Sequence, residues 1–320
     1  MLLYRSNLIG FWVLIAVPFL LSAKSQVVSP TKQAHNEVIT NDLKNDVTYG
    51  ASLIRTRLNA QMQNSAQWLD NLVEQNSSQE NIASAKGYLS VGFAPRARDL
   101  LNFDNQFKVS LDLPNWEDKI SLIIDNDEDE EDRLPFQSIS TDQTDNQLNA
   151  ALNWYMVQRQ RLNVEHRIGV SRSNLFAQSR LRFRHTVGKW RLSFTPSIEY
   201  YVEDGIGARF YTRADVTLTP NQMLNFSFNS RYIESEPSNR ISIGVFLSQT
   251  YNSEHAAVIG LWANENFDGE RRYYSSYRWR TQFFENWLFF EVEPFVVFRE
   301  RYEFADEPGL AIRLIGYYGI

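Results

Sequence analysis

Residues 270–299 read Glu-Arg-Arg-Tyr-Tyr-Ser-Ser-Tyr-Arg-Trp-Arg-Thr-Gln-Phe-Phe, then Glu-Asn, then Trp-Leu-Phe-Phe-Glu-Val-Glu-Pro-Phe-Val-Val-Phe-Arg. If Glu285 and Asn286 form a two-residue turn, the numbers of paired residues sum to 571. One face of the hairpin then pairs Phe283 with Leu288, Thr281 with Phe290, Trp279 with Val292 and Tyr277 with Pro294. The other pairs Gln282 with Phe289, Arg280 with Glu291 and Arg278 with Glu293. A two-residue turn fixes register, and period-two alternation keeps each set on one face. Opposite charges directly across a strand pair add modest stability. Soluble strands average about five to six residues. Two adjacent strands of about twelve, aromatic on one side and charged on the other, call for hydrocarbon on the aromatic side.

The chain has 320 residues, room for one or two domains. Leu8 to Leu21 is an apolar run behind Arg5, followed by Ser-Ala-Lys-Ser. This pattern predicts a signal peptide over 1–23, cleaved after Ala23 or Ser25, with an uncleaved anchor as the alternative. No later run approaches the roughly twenty apolar residues of a spanning helix. The absence of cysteine removes a lipoprotein anchor, a disulfide frame and thiol chemistry. Aromatic residues make up 14% of a chain whose mean hydropathy is negative, as expected when alternate residues meet lipid and water. A net charge of −6 and the lack of a basic cluster exclude nucleic acid as an expected partner.

Residues 24–85 form a separate region. Residues 26–40 are polar, and 76–80 read as a linker. Between them, Leu43, Val47, Ala51, Ile54, Leu58, Met62, Leu69 and Leu72 recur at three, four or, once, seven residues, predicting an amphipathic helix over 41–75. Such a helix would rest on a barrel mouth, plug it, or dock a periplasmic partner. From Lys86 the period becomes two and stays so to the end. The alternation predicts strands near 87–94, 105–113, 118–125, 146–158, 161–171, 175–187, 189–202, 206–218, 223–233, 240–250, 255–264, 271–284, 287–299 and 309–320. A soluble sandwich alternates too, but strands this long and numerous suit a tilted bilayer crossing. The expected fold is all-β: an antiparallel up-and-down transmembrane barrel over 86–320. It has about fourteen strands, or about twelve if the first hairpin lies outside the wall.

Connection lengths are an independent check. With the last strand descending to the periplasm, 301–308, 264–270, 234–239, 126–145 and 95–104 fall outside and are long. The turns at 285–286, 219–222, 188–189, 158–160 and 114–117 fall inside and are short. Gln249–Glu254, inside, is intermediate, Glu203–Gly205, outside, is short to medium, and Arg172–Asn174 is short although it belongs outside. An even strand count leaves both termini in the periplasm.

The last strand places Leu310, Ile312, Leu314, Gly316, Tyr318 and Ile320 on one face. This resembles the C-terminal signature of bacterial outer-membrane proteins, which implies delivery by the barrel-assembly machinery. The family pattern ends in Phe, and Ile320 stands in its place. Three stretches, Gln67-Trp68-Leu69-Asp70, Val109-Ser110-Leu111-Asp112-Leu113-Pro114 and Asp127-Glu128-Asp129-Glu130, resemble a family of uncharacterised proteobacterial outer-membrane barrels that brings no activity with it. In strand count and mature length the chain is similar to monomeric fourteen-stranded porins. The resemblance implies the outer membrane as location, with lipid and lipopolysaccharide around it.

On the faces opposite the apolar sets lie roughly fourteen basic against roughly six acidic side chains. Arginine rings in a narrow pore favour anions. Arg278 with Glu293 and Arg280 with Glu291 read as structural pairs. Arg180, Arg182 and Arg184 alternate along one strand, opposite Ser197, Thr195 and Ser193 if Gly188-Lys189 is the turn. With Arg209, Arg213 and Arg231 they are the candidate anion track. In the acidic run 125–132, Asp125, Asp127 and Asp129 could hold a divalent cation weakly, or the run is a solvated loop; it lacks the EF-hand glycine. The histidines are scattered, and neither a G-x-S-x-G turn nor a phosphate-cradling loop occurs, so no enzyme and no cofactor are expected. The functional expectation is a passive or gated pore for small anions. The alternative is a structural or assembly barrel with a closed lumen, binding partners through its helix or loops.

Overall fold

The computed structural model describes residues 84–113, 120–126, 148–171, 174–283 and 286–319. The leader, the 41–75 helix, Glu285, Ile320 and the acidic loop from Asp127 lie outside them. The strands are β1 (Ser84–Phe93), β2 (Phe103–Leu113), β3 (Ile120–Asp125), β4 (Asn149–Gln158), β5 (Leu162–Ser171), β6 (Asn174–Val187) and β7 (Trp190–Tyr201). They continue as β8 (Gly205–Thr219), β9 (Gln222–Ile233), β10 (Arg240–Thr250), β11 (His255–Glu265), β12 (Arg271–Gln282), β13 (Leu288–Arg299) and β14 (Asp306–Tyr318). Each pairs with its sequence neighbours, and β1 also pairs antiparallel with β14, closing the barrel. The first hairpin is therefore part of the wall, and the count is fourteen rather than twelve. Closure gives every strand a partner on both sides, which a wall in hydrocarbon requires.

The β12–β13 hairpin has the register its sequence implies. Trp279 faces Val292, Arg280 faces Glu291, Thr281 faces Phe290 and Gln282 faces Phe289, while Phe283 N–H donates to the Leu288 carbonyl at 2.7 Å. Alternation then sorts the side chains. Trp279 and Tyr277 are each 43% exposed on the outward face, whereas Glu293 is fully buried on the inward one. The same outward row continues on β14 with Leu310, Ile312 and Leu314. An outward face of rings and aliphatic side chains is the surface of a barrel that sits in lipid.

Most strands start one to three residues away from the expected positions, and three of these shifts matter for the interior or the wall. β2 begins at Phe103 and β14 at Asp306, so Asp104 and Glu307 belong to strands rather than loops. Both carboxylates are buried inside. β3 is the shortest strand, six residues from Ile120.

The interior is not uniformly polar. Phe246, Trp262, Tyr274, Phe295, Val297 and Ala311 form a buried apolar cluster with Ala94. Trp262 stacks on Tyr274 with centroids 5.0 Å apart and on Phe246 at 5.8 Å. The Phe295 ring lies over Gly309, where a Cβ would come within 2.3 Å of its Cζ. These side chains fill the barrel along β10–β14.

Candidate functional site

Inside the filled wall, charge is neutralised pair by pair. Arg313 on β14 meets Glu291 at 2.5 Å and Glu293 at 2.8 Å, both on β13, and Asp104 at 2.6 Å. Arg280 meets Glu291 at 2.8 Å, and Arg278 stands 3.5 Å from both Glu291 and Glu293. Nearer the loop end, Arg299 binds Glu307 through two hydrogen bonds of 2.8 and 2.5 Å. Buried charges of this kind are tolerated only when paired and hydrogen-bonded. The two pairs expected from the hairpin are present as a network, and Arg313, which the hairpin alone does not reveal, is its centre.

The opposite wall is open. Between β6, β7 and β8 lies a cavity of roughly 480 Å³ lined by Arg180, Arg182, Arg184, Arg191, Arg209 and Arg213, the hydroxyls of Ser193, Thr195, Ser197 and Tyr211, and Asp215. Local register builds it. Arg180 faces Ser197 and Arg184 faces Ser193 across β6–β7, and the same register carries Arg182 against Thr195. Across β7–β8, Ser193 faces Arg213, Thr195 faces Tyr211, and Ser197 faces Arg209. Small side chains on β7 leave the space that the arginines of β6 and β8 line.

Three of these arginines are held by carboxylates, one of them Arg209 by Glu199. Arg180 is 3.1 Å from Glu165 on β5, and Arg213 is 2.8 Å from Asp215. The Glu165 contact corrects the expectation that Arg180 to Arg184 lack acidic partners: β7 offers only hydroxyls, but β5, on the other side, supplies a carboxylate. Arg182, Arg184 and Arg191 make no side-chain hydrogen bond or ion pair among the described residues.

Towards the loop end, Glu199 on β7 is almost fully buried. Arg231 approaches it to 3.0 Å and Arg209 to 3.4 Å, and Gln178 Nε2 donates to it at 2.8 Å. Above this knot lies a smaller space of roughly 60 Å³, lined by Lys108, Asp125, Arg167, Phe176, Tyr201, Arg209 and Arg231 among others. Arg209 lines both spaces, so the side chain that Glu199 holds stands between them. Asp125 accepts a hydrogen bond from Asn149 at 3.1 Å, whereas Asp127 and Asp129 lie outside the described residues. Among the described residues, no group of histidines and carboxylates could hold a metal ion.

The structure thus gathers all six candidate arginines along β6, β8 and β9. Arg191 also lines the larger space, and Lys108 and Arg167 the smaller one. The acids Asp104 and Glu307 reduce the expected positive excess, and they lie on the filled side.

No family model matches the chain, so the narrower resemblance rests on its three short stretches alone. No curated protein matches its sequence. Solved structures do match. A loop L8 deletion mutant of OmpT, an outer membrane protein of Vibrio cholerae, has a TM-score of 0.51 at 9% identity, covering 74% of this chain and 99% of that one. The in-vitro folded OmpT of the same organism has a TM-score of 0.50 at 9% identity, covering 76% and 99%. An anion-selective porin from Comamonas acidovorans has a TM-score of 0.48 at 6% identity, covering 74% and 99%. At such identities the likeness is one of fold, and the fold is that of bacterial outer-membrane barrels.

Proposed function

We propose that the protein is a passive, non-enzymatic pore of the bacterial outer membrane that conducts small anionic solutes along its β6–β8 wall. The observation that carries this reading is the cavity in which six arginines and four hydroxyls are accompanied by one lining carboxylate. In a narrow water-filled space such a lining raises the local concentration of anions and repels cations. The short turns would face the periplasm, placing Arg184 and Arg191 near the inner mouth and Arg231 near the outer one. The outward rings and aliphatic rows meet lipid, with lipopolysaccharide in the outer leaflet. The outward row of β14 is the surface that the barrel-assembly machinery would read. A periplasmic partner is assigned to residues 41–75.

The test is reconstitution of the purified protein in a planar bilayer under a potassium chloride gradient. The expected result is a reversal potential on the chloride side, shifting toward potassium in R182E/R184E/R191E. The filled β10–β14 wall favours a second reading, a structural barrel with a closed lumen. Absence of current in the folded protein would select that reading, and a native preference for cations would overturn the anion pore.

A further inference from the structure

The arginine cavity has a shape as well as a charge. Along β7 the inward residues Ser193, Thr195 and Ser197 form a floor of hydroxyls. Arg180, Arg182 and Arg184 stand along one edge, and Arg209 and Arg213 along the other. Two inter-strand spacings put the edges about 10 Å apart, and five residues of strand give a length of about 14 Å. The Ser197 Oγ is buried and makes no hydrogen bond within the protein. At the inner end Arg184 and Arg191 are exposed. A lining that served only to bias ion traffic needs a net charge. Paired rails over a floor of donors instead match a chain of anionic groups, the outer two reached by arginines from both sides and the middle one by Arg182 and the Tyr211 hydroxyl.

We infer that this trough is a saturable binding site for short linear anions that carry several charged oxygen groups in series. The inference deepens the anion-pore reading and rests on it for its biological sense, although binding itself is measured separately. A linear ligand places successive groups against successive rows: Arg184 with Ser193 and Arg213, Arg182 with Thr195, and Arg180 with Ser197 and Arg209. Guanidinium forks and hydroxyls both donate to such oxygens, and the fork geometry favours arginine over lysine here. Each further row engaged adds charge-assisted hydrogen bonds, so affinity rises with the number of charged groups until the rows are filled. Phosphate and carboxylate chains share this chemistry.

The test is isothermal titration calorimetry on the folded, full-length protein in detergent, with phosphate, pyrophosphate, tripolyphosphate and cyclic trimetaphosphate. Affinity is expected to rise roughly tenfold per added phosphate in the linear series. The cyclic compound should bind at least tenfold more weakly than tripolyphosphate. A parallel arm with tri-glutamate assigns the source: comparable affinity means that any linear anion is taken, and weaker affinity means a preference for phosphate. R182Q/R184Q/R191Q should lose at least tenfold. R182K/R184K/R191K, which keeps the charge, should keep part of the affinity and guards against a folding defect. R271Q on the distant loop rim should change nothing. Affinity independent of chain length, or unaltered in the glutamine variant, would overturn the site. Chloride current without oligophosphate binding leaves the pore and removes the trough; binding without current does the reverse.

Discussion

Arg313 on β14 and Asp104 on β2 form a 2.6 Å ion pair although β1 lies between their strands. Both sit opposite Gly92 of β1, so the pair bridges the closing seam over a residue with no side chain. A Cβ at that glycine would stand 2.8 Å from Arg313 Cγ. G92V is expected to displace Arg313 and weaken the seam by about 1–3 kcal/mol, the usual cost of overpacking. D104N, which removes one of three acidic partners, should cost a similar amount. Urea unfolding in lipid vesicles, followed by the gel shift between folded and unfolded forms, measures both. Unchanged midpoints would mean that the seam does not depend on this bridge.

Glu199 is the acid that restrains both Arg209 and Arg231 on the arginine wall. E199Q removes a buried negative charge beside the proposed path. The chloride-to-potassium permeability ratio should rise roughly twofold to fourfold, more at low salt than at high salt. A ratio that stays constant across salt concentrations would place the rate-limiting constriction elsewhere.

On the loop rim, Arg271 grips Glu300 with hydrogen bonds of 2.7 and 3.1 Å from its guanidinium and 3.1 Å from its backbone N–H. These hold the Glu300 carboxyl well below the usual carboxylate range, at about 2. A depressed folded value means that the clamp contributes fully above the ordinary glutamate range near 4.3. Its contribution falls as pH drops toward about 2. A carbon-13 titration of the Glu300 carboxyl should show that low midpoint, and R271Q should return it to about 4.3.

The apolar filling can be removed without touching the arginine wall. F295A deletes a buried ring from the cluster around Trp262 and Tyr274. It should destabilise the barrel by about 3–5 kcal/mol. It should also raise single-channel conductance, since the vacated space lies inside the lumen. If conductance rises while selectivity falls, the new path bypasses the arginines, as the geometry requires.

Much of the barrel is legible in the sequence because period two and turn length jointly determine face and register. The pairing of Arg280 with Glu291 follows from the Glu-Asn turn alone, and a count of about fourteen follows from alternation sustained beyond Lys86, with twelve excluded only by the pairing of β1 with β14. What escapes is whatever depends on the second neighbour of a strand. Arg180 has hydroxyls on β7 but Glu165 on β5, and only the latter approaches as a charge. Arg313 escapes for the same reason, since two of its acids lie on β13 and one beyond β1. Asp104 and Glu307 escape because strands run past the point where alternation fades into loop-like composition. Alternation also says which face Phe295 occupies without saying that an inward ring can serve as filling rather than face lipid.

The division of the interior into a filled wall and an arginine-lined wall has a consequence for how such a protein can change over generations. Closure depends on β12–β14 with β1 and β2, where charges are locked and rings are stacked. In the proposed pore, contact with solutes would fall to β6–β8, where the serines, threonines and Arg182, Arg184 and Arg191 have few structural obligations. Substitutions on the second wall can therefore redraw what the barrel admits while the first keeps it shut. One half of the cylinder serves as keel, and the other is free to be rewritten.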